Sequence, residues 1–172
     1  MQYGICICGL NGSGKTTLAR ALAEALQFRH MDAEDYYFTE SENSYSQART
    51  QDEVRCMVLE DVVNYPCFVY SCVKGDMGEA INSRYNLIVY LKAPKEIRME
   101  RIRQRAAEKF GERILPGGDL YEQEETFFAF AAGRTPDPIE NWIKTMPCRV
   151  ICLDGTKQVG DHVKKILDEI WI

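Results

Sequence analysis

Residues Gly9-Leu10-Asn11-Gly12-Ser13-Gly14-Lys15-Thr16 fit the pattern G-x-x-x-x-G-K-[ST] at every fixed position, and no other feature restricts what this chain can fold into so tightly. With ordinary residue usage such a match arises by chance on the order of once in a couple of hundred chains of this length. Context decides further. The pattern has meaning only where an apolar strand delivers the chain to the loop and a helix carries it away. Here the apolar run Tyr3 to Cys8 comes before, and Leu18, Leu22 and Leu26 recur four apart after. The glycines reach backbone conformations closed to other residues and bring amide N–H groups close to phosphate oxygens, while the helix offers its positive end. The pattern therefore predicts a nucleoside triphosphate as ligand, held by Gly9, Asn11, Gly12, Ser13, Gly14, Lys15, Thr16 and Thr17. Lys15 is expected to neutralise β- and γ-phosphate oxygens, and the Thr16 hydroxyl to complete a Mg2+ shell.

Strands and helices alternate along the rest of the chain. The apolar-to-acidic step Phe28 to Asp35 reads as a short strand ending in carboxylates, and Ser46 to Tyr65 as a helix stopped by Pro66. Cys67 to Val73 and Leu87 to Leu91 are the third and fourth strands, separated by the turn residues Gly75, Asp76 and Gly78. Pro94 opens a basic helix running to about Phe110. The region Gly111 to Pro147 differs in character: Pro116, Gly117 and Gly118 break it before an aromatic helix, Tyr121 to Ala132, and it reads as a flap. Val150 to Leu153 is a last strand, followed by a turn at Asp154 and Gly155 and an amphipathic helix ending near Ile170. Such alternation predicts an α/β fold, a parallel sheet covered on both faces by right-handed crossovers.

Composition excludes several alternatives. A length of 172 residues suits a single domain over 1–172. No stretch approaches the ~18 apolar residues of a membrane-spanning helix, and the first residues lack the pattern of a signal peptide. The 26 acidic and 21 basic side chains give a net charge of -5, which argues against duplex nucleic acid as a partner. The seven cysteines contain no CxxC pair, and an odd number cannot all be bridged within one chain, so reduced thiols and a cytoplasmic location are expected. Cys6 and Cys8 share one face of the first strand and read as small buried hydrophobes rather than metal ligands. His30 and His162 stand isolated, and no zinc, haem or triad arrangement is visible.

With its phosphate loop near the start, Tyr90-Leu91-Lys92-Ala93-Pro94 leading to Glu100-Arg101-Ile102-Arg103-Gln104-Arg105, and the closing Leu153-Asp154-Gly155-Thr156, the chain resembles the nucleoside and nucleotide kinase branch of P-loop NTPases, which includes adenylate, shikimate and uridine kinases. The same order of parts also looks like that of many bacterial proteins grouped as AAA-family ATPases. The resemblance implies a three-layer fold with a five-stranded parallel sheet, an acceptor-binding insertion at about 35–65 and a lid after strand four at about 109–147. It also implies that Arg101 and Arg105 meet the donor nucleotide or the phosphate in flight, and that Gly155 lies by the adenine. A carboxylate at the end of strand two, Asp32 or Asp35, would contact magnesium or take the acceptor's proton, Asp32 being nearer the strand end.

The residues themselves carry part of this. Arg98, Arg101 and Arg105 recur at spacings of three and four on one helix side and can present guanidinium forks to phosphate oxygens; a solvated face pairing with Glu96, Glu100 and Glu108 is the alternative. Asp32 and Asp35 can equally be a helix cap and surface acids. Tyr36, Tyr37, Phe38 and Tyr45, with Arg49 and Arg55, form either an aromatic acceptor pocket or core packing. Lys74, Gly75, Asp76 and Gly78 follow strand three, where open parallel sheets gather ligand contacts, though a tight turn also explains them. Arg113 and Arg134 are candidates to close over the phosphates and exclude water.

The leading expectation is a kinase that moves the γ-phosphate of ATP to a nucleoside, nucleotide or other small acceptor, working as a monomer or homodimer. The alternative is a nucleotide-hydrolysing switch or ATPase acting on a protein or nucleic-acid partner. Against it, strand three ends Val69-Tyr70-Ser71-Cys72 without the Asp-Glu of motor ATPases, and Asn-Lys-x-Asp is absent. A protein that binds nucleotide only as a regulatory ligand is a third class. The acceptor itself is not legible, because the segments that build its pocket vary freely in spacing.

Overall fold

The computed structural model describes residues 2–38 and 48–170. Its strands are β1 (Tyr3–Cys8), β2 (Arg29–Asp32), β3 (Cys67–Cys72), β4 (Tyr85–Lys92) and β5 (Arg149–Asp154). The helices, in chain order, are α1 (Lys15–Leu26), α2 (Ala33–Tyr37), α3 (Gln51–Asn64), α4 (Glu79–Asn82), α5 (Lys95–Phe110), α6 (Tyr121–Gly133), α7 (Asp137–Ile143) and α8 (Val159–Ile170), with a 3-10 turn at Gly111–Ile114. The five strands form one parallel sheet in the order β2-β3-β1-β4-β5. The chain leaves β1 toward one edge of the sheet and later continues on the other side, so β1 lies at the point where strand order reverses, and its carboxyl end opens into a crevice.

β1 explains the layering. Five of its six residues are buried, as a strand covered on both faces requires. Ile5 and Ile7 face the cluster built with Leu18 and Leu22 of α1 and Ile166 of α8. Cys6 and Cys8 face the opposite cluster, with Val54, Val58 and Val62 of α3 and Ile139 and Trp142 of α7. The two thiols thus act as small core residues, Cys6 Sγ lying 3.6 Å from Cys72 Sγ.

Three expectations need revision. Strand two stops at Asp32, because that carboxylate accepts the Glu34 amide at 3.0 Å and starts α2 as its cap. α3 begins at Gln51 rather than Ser46; Thr50 and Glu53 close a capping box there, a signal already written in Thr-x-x-Glu. The segment expected to form a lid, about 109–147, is not uniform. Only the 3-10 turn and α6 stand on α5, through Ile102, Ala106 and Phe128, whereas α7 buries Ile139 and Trp142 against the sheet. Tyr45 lies outside the described residues. Among the described residues no helix is long and apolar enough to cross a membrane.

Glu124 of α6 is 2% exposed, and its Oε1 has no hydrogen-bond partner among the described residues. Burial raises its pKa above the usual carboxylate value, with Lys109 partly opposing. A folded-state pKa above the unfolded one makes the protonated form favourable, so this contribution holds at acid pH and fades as pH rises through the raised value. Glu124→Gln is therefore expected to raise Tm by about 2–4 °C at pH 8 and to leave it unchanged below about pH 4, where both states carry the proton. Calorimetric scans of both proteins across that range check it.

Candidate active site

The loop between β1 and α1 is held open by its backbone. Gly12 and Gly14 take φ of 81° and 96°, the left-handed region that side chains disfavour. A Cβ on Gly12 would run into the backbone of Arg98, so only a hydrogen fits between loop and α5. Gly14 begins α1 without a side-chain cap, which leaves the first-turn amides of Lys15, Thr16 and Thr17 without helical acceptors. These residues, with Asn11, Gly12 and Ser13, line a cavity of about 380 Å3 that Arg101, Arg105, Gly155 and His162 complete. Gly9 lies outside it and allows close packing, since a Cβ there would come within 2.5 Å of the Leu91 carbonyl.

The donor set fits a triphosphate and its magnesium. The Ser13 hydroxyl is fully buried yet has no partner among the described residues, an expense a structure avoids unless a ligand supplies one. Lys15 forms no ion pair among the described residues, and burial pushes its pKa down. The largest opposing field is that of Glu34, ahead of Cys72 and Asp32. Uncapped amides, an orphan hydroxyl and an ammonium without a counter-ion converge on one cavity, and each gains from an anion placed there.

The carboxylates are distributed differently from expectation. Asp32 is 8% exposed and commits both oxygens, Oδ1 to the Glu34 amide and Oδ2 to the Ser71 hydroxyl at 3.0 Å. It does not line the cavity; Glu34 does, while Asp35 points to solvent. The cause is local: with Asp32 as cap, the second residue of α2 turns toward Lys15.

The three candidate arginines of α5, Arg98, Arg101 and Arg105, also divide. Arg98 is 4% exposed and donates to the Asn11 carbonyl at 3.0 Å and the Ala93 carbonyl at 3.3 Å, bracing the loop rather than facing a phosphate. Arg101 lines the cavity but spends its guanidinium on the carbonyls of Gly12, Ser13 and Gly155, at 3.3, 3.4 and 2.9 Å. It ties the phosphate loop to the β5–α8 turn. Arg105 is exposed at the cavity rim.

The remaining candidates have protein partners. Tyr36 donates its phenol to Asp61 and sits in the core, and Arg49 donates to the Tyr36 carbonyl at 2.8 Å. Lys74 pairs with Asp76 at 3.2 Å. Arg113 forms a two-point pair with Asp119 on the exposed turn before α6 and lines no part of the cavity. Arg134 donates to the Asn11 side chain at 3.0 Å, touching the phosphate loop from outside this cavity.

Comparison with known proteins bears on the family and the fold that carry this site. The protein family described as an AAA domain matches residues 5–125. The chain belongs to this AAA-domain family. It is 30% identical to the Bacillus subtilis (strain 168) protein YqaC, over 98% of this chain and 97% of that protein. It is 24% identical to a shikimate kinase of Thermosynechococcus vestitus, over 84% of this chain and 90% of that one. Among solved structures, a shikimate kinase from Bacteroides thetaiotaomicron superposes with a TM-score of 0.60 over the full length of both chains, at 20% identity. The fold is that of the P-loop NTPases of the nucleoside and nucleotide kinase-like group.

Two residues of this AAA-domain chain escaped sequence reasoning. Glu34 was hidden within an acidic run, where only its place two residues after a capping Asp could have singled it out. His162 borders the cavity and is hydrogen-bonded through Nε2 to the Asp154 carbonyl at 2.8 Å, which fixes the turn carrying Gly155. Nothing in the sequence marked that contact.

Proposed function

We propose that the chain is an ATP- and magnesium-dependent kinase that transfers the γ-phosphate to a small hydroxyl- or phosphate-bearing acceptor. One observation carries this reading: Lys15, the orphan Ser13 hydroxyl and the uncapped amides of α1 converge on one cavity that Glu34 also borders. The strand order and the resemblance to shikimate kinases, at the level of fold and of sequence, support a small acceptor over a macromolecular one. β3 ends in Ser71 and Cys72 without an acid, which weighs against a motor ATPase.

ATP supplies the phosphoryl group and magnesium neutralises charge on it; the protein's part is position and field. The Thr16 hydroxyl and the Glu34 carboxylate are the groups that would hold the metal, with Asp32 fixing the helix that carries Glu34. Lys15 and the loop amides hold the phosphates. Arg105, at the rim, balances charge that develops on the transferring group. Transfer needs the acceptor oxygen oriented more than deprotonated, so Glu34, which lines the cavity as the exposed Asp35 does not, would orient an acceptor hydroxyl through the carboxylate oxygen that the metal leaves free.

The test is an acceptor screen. Purified protein with Mg-ATP should release ADP only when a particular nucleoside, sugar, hydroxy acid or nucleotide is added. Release that responds only to polynucleotide or to a partner protein would transfer the assignment to the ATPase class.

Arg101 and Arg105 separate positioning from contact. Arg101→Lys replaces a fork spanning three carbonyls with a single point charge, and is expected to weaken Mg-ATP binding about tenfold while lowering Tm by about 2–4 °C. Arg105→Ala should leave Tm unchanged and slow turnover roughly 10²-fold. Isothermal calorimetry and thermal scans read the first, single-turnover kinetics the second.

A further inference from the structure

A second cavity, of about 610 Å3, shares only Leu91 with the nucleotide cavity. Its walls come from the carboxyl end of β4, the first turn of α5 and the link between α6 and α7. Four cationic side chains border it, Lys92, Lys95, Arg98 and Arg134, against the single carboxylate of Glu140. That carboxylate is already engaged, accepting from Lys92 at 2.7 Å and from the Tyr90 hydroxyl at 3.2 Å. Arg98 is spent on two backbone carbonyls. Lys95 has no ion-pair partner among the described residues, and Arg134 donates to a neutral acceptor, Asn11 Oδ1, and lies over the Phe130 ring at 4.9 Å from its centroid, contacts that bring it no counter-charge. In a chain of net charge -5, a concave surface with three more cations than anions is an exception that calls for a counter-charge.

We infer that this cavity binds a small phosphomonoester, and does so while the nucleotide cavity is filled. The chemistry selects the class. A guanidinium fork on one wall and an ammonium on another suit a compact dianion, which Arg134 can meet with paired donors and Lys95 with a point charge. α5 adds its positive end, since Pro94 caps the helix with no side-chain bond and the cavity touches both Ala93 and Lys95. The remaining wall is apolar, with Leu10, Leu91, Ala132 and Pro136, so the phosphate belongs to an organic body and not to a free ion alone. The occupant also touches the phosphate loop indirectly. Arg98 holds the Asn11 carbonyl and Arg134 its side chain, so the cavity and the nucleotide site share one residue as a mechanical link.

Inorganic phosphate is the probe, added to isotope-labelled full-length protein already saturated with Mg-ADP and followed by amide chemical shifts. The expected result is a saturable shift of the amides of Lys92, Ala93, Lys95 and Gly133 to Thr135. Lys95→Glu should weaken it by about tenfold or more, and Lys165→Glu, an exposed reversal on α8, should leave it unchanged. Well-dispersed spectra of each variant report that it is folded. Shifts confined to residues 11–17, a response linear in phosphate, or a Lys95→Glu protein that titrates like the parent would each overturn the proposal. The preceding Mg-ADP titration reads the nucleotide site separately, so the loss of one assignment is not confused with the loss of the other.

Discussion

Replacing Lys15 with methionine is expected to abolish the stabilisation of this protein by Mg-ATP while leaving its fold intact. The ammonium borders the cavity with no ion-pair partner among the described residues, and burial there imposes a desolvation cost that lowers its pKa. A ligand that brings negative charge repays that cost; a thioether cannot collect the repayment. At a ligand concentration about a hundred times Kd, the parent should gain about 2.7 kcal/mol, which corresponds to roughly 5–10 °C in Tm for a chain of this size. Lys15→Met should gain almost none, and its turnover should fall by roughly 10²–10³-fold or more.

Without ligand the order reverses. A lysine whose folded-state pKa lies below its unfolded value destabilises the fold at neutral pH, and that penalty fades as pH rises through the folded value toward about 10.4. Ligand-free Lys15→Met should therefore melt no lower than the parent at pH 7, with any advantage shrinking as pH rises toward the ordinary lysine value. Differential scanning calorimetry with and without Mg-ATP reads all of this. A variant that keeps the full ligand-induced shift would remove the cavity from consideration as a nucleotide site.

Gly12→Ala should be the most damaging single methyl in the loop. At φ 81° any side chain is strained, at a cost of about 1–3 kcal/mol, and here the added Cβ also meets the backbone of Arg98. Helix α5 cannot retreat freely, because Arg98 itself is buried and tied to Asn11 and Ala93. The loop has to move instead, carrying the amides that define the cradle. Tm is expected to drop by roughly 5–10 °C, and Mg-ATP binding to fall below detection by calorimetry. Gly14→Ala makes a useful contrast: φ is similar at 96°, but the nearest atoms to its Cβ are 3.8 Å away. It should cost the strain without the collision, so the smaller loss isolates the two terms.

The candidate site was legible to very different degrees from one part to the next. Everything that depends on a short stretch of backbone could be read in advance: a strand at Tyr3–Cys8, left-handed glycines, a helix from Lys15, and alternation of strands and helices into a parallel sheet. The boundary of α3 was equally readable, since Thr50 and Glu53 stand three apart, but it was set too early. The arginines of α5 were harder. Their spacing places them on one helix side, yet whether a guanidinium meets a ligand or a carbonyl depends on which loop lies opposite. Arg98 and Arg101 turned out to face the carbonyls of Asn11, Gly12, Ser13 and Gly155, up to 89 positions away in sequence.

By itself, then, the order of residues determined the phosphate loop and the class of fold around it, because each follows from backbone freedom and periodicity within a few turns of chain. Only the tertiary structure decided which charges are available. Asp32 became a cap and Glu34 the carboxylate at the cavity, Arg101 a brace and Arg105 a rim charge, and Lys95 with Arg134 the wall of a second pocket. A charged side chain has one set of donors or acceptors, and whatever packs against it first exhausts them. That competition is settled between distant elements, where local sequence has no information.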